Sequence, residues 1–250
     1  MRPATLGRLA VLAAGVAALE ALCLTERIDR LTMQPPHRIV TDLVRLLGSG
    51  SLDAAIAKTL ANTGAACAVA MAAGVAAAVV IHRWRRVREA LEPVFATYYA
   101  IPVFAFYPLL IILFGLGDVP QIFIGAMLGL VAVIVNTLNG LDAVPPVLVK
   151  TARVNRMTTL ETAWRITLPC AAPYILTGAK LAVAYSLIGV IGAEFIMSTG
   201  GMGYEISFAY TNFDNATMYP LILLILLVSI AVNALLARWE RALMARRGLG

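Results

Sequence analysis

Apolar residues run through this chain in long blocks, separated by polar stretches rich in arginine. The blocks fall over residues 9–25, 62–81, 94–114, 119–138, 172–196 and 218–237. Each is close to the roughly 20 residues that a helix needs to cross the hydrocarbon core of a bilayer. None has the two-residue alternation of a membrane barrel strand. The pattern predicts an all-α, polytopic membrane protein with about six transmembrane helices, built as a single domain over residues 1–250.

Two polar interruptions carry patterns of their own. In the first, PPHRIVTDLVRLL places Ile39, Val40, Leu43, Val44, Leu46 and Leu47 on one helical face, as expected for an amphipathic helix on the outer membrane surface. The second is KTARVNRMTTLETAWRITLP, Lys150 to Pro169. Here Val147 to Val154 can form a short helix. Thr158-Thr159-Leu160-Glu161 then fits a capping box, with Thr158 as cap and Glu161 reaching back. Leu160, Ala163 and Trp164 share the next apolar face. Leu168-Pro169 is expected to end the segment, because proline cannot continue the hydrogen-bond ladder. Such a helix, with one apolar face and basic flanks, is either surface decoration or a docking element for another protein. The residues by themselves leave both open.

Composition agrees with a membrane location. The chain is 60% hydrophobic and 14% charged, against about half apolar and about a quarter charged in soluble domains. The net charge of +6 is assigned to loops on the cytoplasmic face, not to nucleic-acid binding. Arg2 and Arg8 precede the first block, Arg83, Arg85, Arg86 and Arg88 follow the second, and Lys150, Arg153, Arg156 and Arg165 follow the fourth. Arg238, Arg241, Arg246 and Arg247 follow the sixth. These regions hold fourteen of the twenty cations, while 115–118 and 197–217 hold none. Both termini are therefore expected in the cytoplasm. Only 26–61, with mixed charge, departs from the pattern. The start of the chain has the form of a signal peptide and is expected to stay as an uncleaved first helix.

Catalytic parts are missing. No phosphate-binding glycine loop, metal-protease motif or cysteine pair at ligand spacing occurs. Cys23, Cys67 and Cys170 have the character of small apolar fillers. His37 and His82 stand alone. Polar residues inside the blocks are few: Glu20, Asn62, Asn136, Lys180, Ser186, Glu194 and Asn233. Lys180 is placed to snorkel to the interface. Proton-coupled carriers place carboxylates deep in their spans, whereas Glu20 and Glu194 lie near span ends. The expectation is a chain that is not an enzyme and binds no cofactor directly, with its driving energy supplied by a partner.

The polar stretch resembles the cytoplasmic EAA loop of permease subunits of binding-protein-dependent ABC importers. That motif has the form E-A-A, three residues, G, nine residues, I-x-L-P. It aligns with Lys150-Thr151-Ala152, Arg156 and Ile166-Thr167-Leu168-Pro169. IPVFAFYPLLIILFGLGD, NTLNGLD, LPCAAPYILTGAKLA and GAEFIMSTGGMGYEIS are similar to the nitrate, sulfonate, taurine and bicarbonate branch of that family, over about residues 35–240. The resemblance implies a type I ABC importer permease fold in the bacterial inner membrane, paired with a second permease copy as a homodimer or with a related permease subunit. It also implies cytoplasmic ATPase subunits that bind ATP and Mg, docked on a coupling loop at 147–169, and a periplasmic binding protein that delivers a small solute. A sulfonate, a nitrate-like anion or an organic nutrient would each suit the branch.

The coupling loop would then comprise Lys150, Thr151, Ala152, Arg153, Asn155, Arg156, Thr158, Leu160, Glu161, Trp164, Ile166, Leu168 and Pro169. Two of these depart from the motif. Lys150 replaces its glutamate and Arg156 its glycine. A left-handed turn between the two short helices is expected to shift onto Asn155, which tolerates it better than arginine. Candidates for the translocation pathway or its gate are Tyr98, Tyr99, Pro102, Phe104, Tyr107, Asn136, Ser186, Glu194, Gly200, Gly201 and Gly203, with ordinary packing as the alternative for the aromatic residues and a structural anchor as the alternative for Glu194; Pro102 and Pro108 are expected to kink the third block. The rival functions are a stand-alone carrier or channel, and a membrane scaffold. The inside rule makes one direct prediction: a reporter active only outside the cytoplasm, fused after Met202, gives full activity, and cytoplasmic activity there would overturn the topology.

Overall fold

The computed structural model describes residues 3–29, 32–196 and 198–246, and among them there is no β-strand. Eleven α-helices follow in order among the described residues: α1 (Pro3–Leu24), α2 (Pro36–Ser49), α3 (Asp53–Arg83), α4 (Arg85–Thr97), α5 (Tyr107–Phe114), α6 (Asp118–Asp142), α7 (Pro146–Val154), α8 (Thr159–Thr162), α9 (Leu168–Ile196), α10 (Met202–Thr211) and α11 (Asn215–Arg246). Local signals fix several ends. Pro36 and Pro146 sit in the first turns of α2 and α7, where a missing N–H costs nothing. Gly50, at φ 71°, ends α2 in the left-handed region.

The central layer is α3, α6 and α9. Of the apolar stretch of α6, 61% lies buried inside the protein, against 17% for α11 at the periphery. Close approach of α6 and α9 depends on small residues, as is usual where lipid supplies no hydrophobic driving force. A Cβ on Gly189 would lie 2.7 Å from the Cα of Gly125, and one on Gly125 would lie 2.9 Å from Val190. Ala66, Ala70, Ala126 and Val190 fill the seam with α3. The alanine-rich second block therefore packs as α3 through Ala66, Ala70 and Ala78, all fully buried.

Among the described residues, four helices are long and apolar enough to cross a membrane: Asp53–Arg83, Asp118–Asp142, Thr159–Ile196 and Asn215–Arg241. The third span, expected over 94–114 with kinks at Pro102 and Pro108, is not a single helix. The chain bends by 87° between Arg85–Ala100 and Val103–Phe114, so that these two segments count as a fifth crossing only if taken together. The cause is local. Pro102, at ψ 83°, lies in the break between two short 3-10 turns, Tyr98–Ala100 and Val103–Phe106, and Pro108 then opens α5. The apolar part of the first helix, Ala10–Leu24, is shorter than the four.

The amphipathic segment is also only partly as expected. Leu43 is buried against Leu52, Met202, Ile206, Leu221 and Leu224, while Val40, Val44 and Leu47 face outward. α2 is thus seated on α10 and α11, and its apolar positions divide between two faces. The lone polar side chains of the sequence find partners as well. Glu20 pairs with His37, His82 lies 3.4 Å from Asp142, and Lys180 donates to Glu240 on α11 at 2.6 Å.

The glycine seam yields a stability prediction. Gly189→Leu forces α6 and α9 apart and should cost about 1–3 kcal/mol in detergent unfolding measurements. Gly64→Ala, with open space around its Cβ, should leave the midpoint unchanged. Equal midpoints for the two variants would contradict this packing.

Candidate functional site

At one end of the bundle lies the polar loop between α6 and α9. α7 ends in a Schellman turn: Arg156 N–H donates to Arg153 O and Met157 N–H to Ala152 O, both at 3.0 Å. The left-handed residue is Arg156 itself, at φ 52°, while Asn155 stays at φ −80°. The expected shift onto Asn155 is therefore wrong. The six-to-one hydrogen bond from Met157 fixes which residue must turn. Asn155 instead closes the helix with its own amide, donating to Thr151 O at 2.8 Å.

The capping box forms as expected. Glu161 N–H donates to Thr158 Oγ1 at 3.2 Å, and Thr158 N–H donates to the Glu161 carboxylate at 2.8 Å. That backbone donor, then the Thr158 hydroxyl, hold the Glu161 carboxyl below the ordinary carboxylate range in this exposed loop. Leu160 and Trp164 are 69% and 67% exposed on the short helix that follows. Ala152 is buried, and Ile166 and Leu168 are half-buried.

Pro169 does not stop this segment. The helix runs from Thr159 to Ile196 without a break, because residues Ala163–Thr167 widen into a π-helical turn. Leu168 N–H donates to Ala163 O, five residues back. The wider turn absorbs the missing proline donor and its clash with the preceding carbonyls, which otherwise break a helix.

At the opposite end of α9, Glu194 is 1% exposed. The Thr59 hydroxyl from α3 donates to its carboxylate at 2.8 and 2.9 Å. Gly203 N–H, in the first turn of α10, donates to it at 3.1 Å, and Met202 N–H donates to Thr59 Oγ1 at 2.8 Å. The carboxylate thus closes the N-terminal donors of α10, where the helix dipole also favours an acid. Gly201, at φ 108°, folds over it so tightly that a Cβ there would lie 2.3 Å from the carboxylate. Beside it, Asn62 donates to Gln121 at 2.9 Å and to Asp118 at 3.2 Å, Lys58 pairs with Asp118 at 3.1 Å, and Gln121 donates to Ser198 at 2.7 Å. Ser198 in turn donates to Gly200 O at 2.8 Å.

Between the ends, α4 with the 3-10 turn that follows it, α6 and α9 line an open cavity of about 480 Å³ whose lining includes Phe95, Tyr99, Asn136, Asn139, Leu181 and Tyr185. The rings of Tyr99 and Tyr185 lie 5.3 Å apart. Of the pathway candidates, Tyr99 and Asn136 reach this cavity. Tyr107 packs in the core with Val103, Leu110, Ile124 and Ala193. Phe104 fills the space over Gly192, and Pro102 marks the bend. Tyr98 donates to Met127 O and Ser186 to Gly125 O. Glu194, Gly201 and Gly203 form the α10 cap, with Gly200 in the adjoining loop. The sequence pattern gave no signal for Thr59, which is 135 residues from its partner. Tyr185 was visible only as one aromatic residue in an apolar block.

Residues 70–247 match the family described as binding-protein-dependent transport system inner membrane component. The nitrate import permease protein NrtB of Leptolyngbya laminosa is 28% identical over 72% of this chain and 64% of its own length. The taurine transport system permease protein TauC of Escherichia coli is 27% identical over 73% of this chain and 68% of its own length. The matched stretch therefore spans about two thirds of each of these relatives. An inward-facing structure of the MetNI methionine ABC transporter shares the fold, with a TM-score of 0.62 at 18% identity, over 76% of this chain and 95% of that one.

The Glu194 cap can be tested directly. Glu194→Ala leaves the Thr59 hydroxyl proton and the Gly203 N–H unpaired in the core and should lower stability by about 2–4 kcal/mol. Glu194→Gln, which keeps an acceptor, should lose less than half of that in thermal unfolding. Wild-type stability in Glu194→Ala would contradict the cap.

Proposed function

The chain belongs to the family of inner membrane components of binding-protein-dependent transport systems, and on that premise we propose that it is the permease subunit of an ATP-driven importer. It forms the path through the membrane for a small solute and binds no nucleotide of its own. Cytoplasmic ATPase subunits, which hold ATP and Mg, dock on the loop from Lys150 to Leu168. An extracytoplasmic binding protein delivers the solute to the opposite end, and a second permease copy completes the pathway. The inner membrane is the location this implies, with both termini in the cytoplasm.

The observation that carries this proposal is the join between loop and bundle. Leu160 and Trp164 stand bare on a helix that continues, through the π-helical turn, into α9. Bulky apolar side chains exposed on a polar surface mark a protein contact. A load applied there moves α9 as a rigid body, and with it the cavity wall at Leu181 and Tyr185 and the cap at Glu194.

Co-expression with an ATP-binding subunit tests this. The chain should retain that subunit through purification, and the pair, with a binding protein, should take up solute into vesicles only when ATP is supplied. Leu160→Asp with Trp164→Asp should reduce retention of the ATPase by about tenfold or more, with the monodispersity of the chain unchanged. Solute flux by the chain alone, without ATP, would overturn the proposal.

A further inference from the structure

Leu160 and Trp164, the apolar anchors of the docking loop, lie after its first helix, α7. Lys150 and Arg153 lie one turn apart on α7 and line a groove of about 460 Å³, with His82, Asp142 and Thr167 also in its lining. Asp142 is the one acid there, and it is already engaged. Arg88 donates to it at 2.6 Å, and His82 lies 3.4 Å away. Neither Lys150 nor Arg153 forms an ion pair among the described residues. A neighbouring groove of about 430 Å³ shares His82 and Asp142 and adds Arg85 and Arg88, with Glu89 and Glu92. In it Arg85 is taken by Glu89 at 2.8 Å. Within the first groove the uncommitted charge is therefore the Lys150 and Arg153 pair.

We propose that this groove receives a carboxylate-bearing segment of the ATP-binding partner, with Lys150 and Arg153 as its two cationic contacts. The inference rests on the permease function proposed above. Three observations favour a protein acid as the occupant. The Schellman turn at Arg156 holds α7 in fixed relation to the capping-box helix, so the groove and the bare Leu160 and Trp164 sit on one loop. Exposed apolar anchors flanked by unpaired charge match the anatomy of a protein interface. Lys150 also stands where the loop motif that this chain resembles carries glutamate, so the charge at this place of the loop is inverted. A partner built for a glutamate meets a like charge here and is rejected, while one with an acid at that place is selected.

The test uses the full chain in detergent with its co-expressed ATP-binding subunit, and measures the dissociation constant against sodium chloride concentration. Lys150→Glu should weaken binding by about tenfold or more and flatten the salt dependence. Lys150→Gln should weaken it less, and Arg153→Glu should behave like Lys150→Glu. An Asp→Lys or Glu→Lys change at one acid of the subunit should restore binding to Lys150→Glu. Thermal unfolding should be unchanged in each, since both side chains are exposed. Wild-type affinity and salt dependence in Lys150→Glu would overturn the inference, with the permease function intact. Reduced binding to phosphatidylglycerol vesicles, with ATPase binding unaffected, would overturn it in favour of a lipid headgroup. A wild-type chain that does not hold the ATPase at all would instead remove the permease function on which it rests.

Discussion

A single buried carboxylate ties this bundle together. Glu194 accepts from Thr59 on α3 and from the first turn of α10, while itself belonging to α9. Putting such a group into an apolar interior costs several kcal/mol unless its hydrogen bonds are made there. The local geometry serves that need. Gly201 takes a φ of 108°, and Gly203 approaches Ile191 O so closely that a Cβ would lie 2.3 Å from it. No other residue type fits either place without moving α10. Two consecutive helices, α9 and α10, and the distant α3 are thereby fixed to one atom group, and the neighbouring polar network of Asp118, Asn62, Gln121 and Ser198 extends the same tie to α6.

α9 gives that tie its functional meaning. It leaves the polar loop through a π-helical turn, crosses against α6 at the glycine seam, contributes Tyr185 to the aromatic cavity, and ends at Glu194. Close-packed helix seams shift as units and do not deform smoothly. On the proposed function, a displacement at Leu160 and Trp164 would be carried along α9 toward the cap at its far end. The break at Pro102 allows the aromatic segment of α4 and α5 to fold against this lever without being part of it.

Much of this was legible in the chain, and the rest was hidden for identifiable reasons. The apolar blocks over 62–81, 119–138, 172–196 and 218–237 correspond to α3, α6, α9 and α11 because length and hydropathy are local properties. The capping box at Thr158 and Glu161 is local as well. Hydropathy alone cannot distinguish a straight span from a bent one; Pro102 and Pro108 mark a kink within 94–114 but do not show that the turn reaches 87°. Proline in a sequence does not state whether a helix stops or widens, and Pro169 is accommodated by widening. The turn at Arg156 followed from a backbone hydrogen bond and not from side-chain preference. The partners of Glu194 and Lys180 lie 135 and 60 residues away, beyond any periodic pattern. Tyr99 and Asn136 reach the cavity, but Tyr107 and Ser186 were equally plausible from their surroundings in sequence and lie in the core.

The central claim is that the helix starting at Thr158 is the seat of a motor protein. The most direct measurement places a cross-linker on Leu160→Cys, with Cys23, Cys67 and Cys170 changed to serine, in membranes that also contain the ATP-binding subunit. A covalent adduct between the two chains, whose yield changes when ATP is added, is the expected result. An adduct only with lipid, or a yield indifferent to the presence of the ATP-binding subunit and to ATP, would contradict the claim.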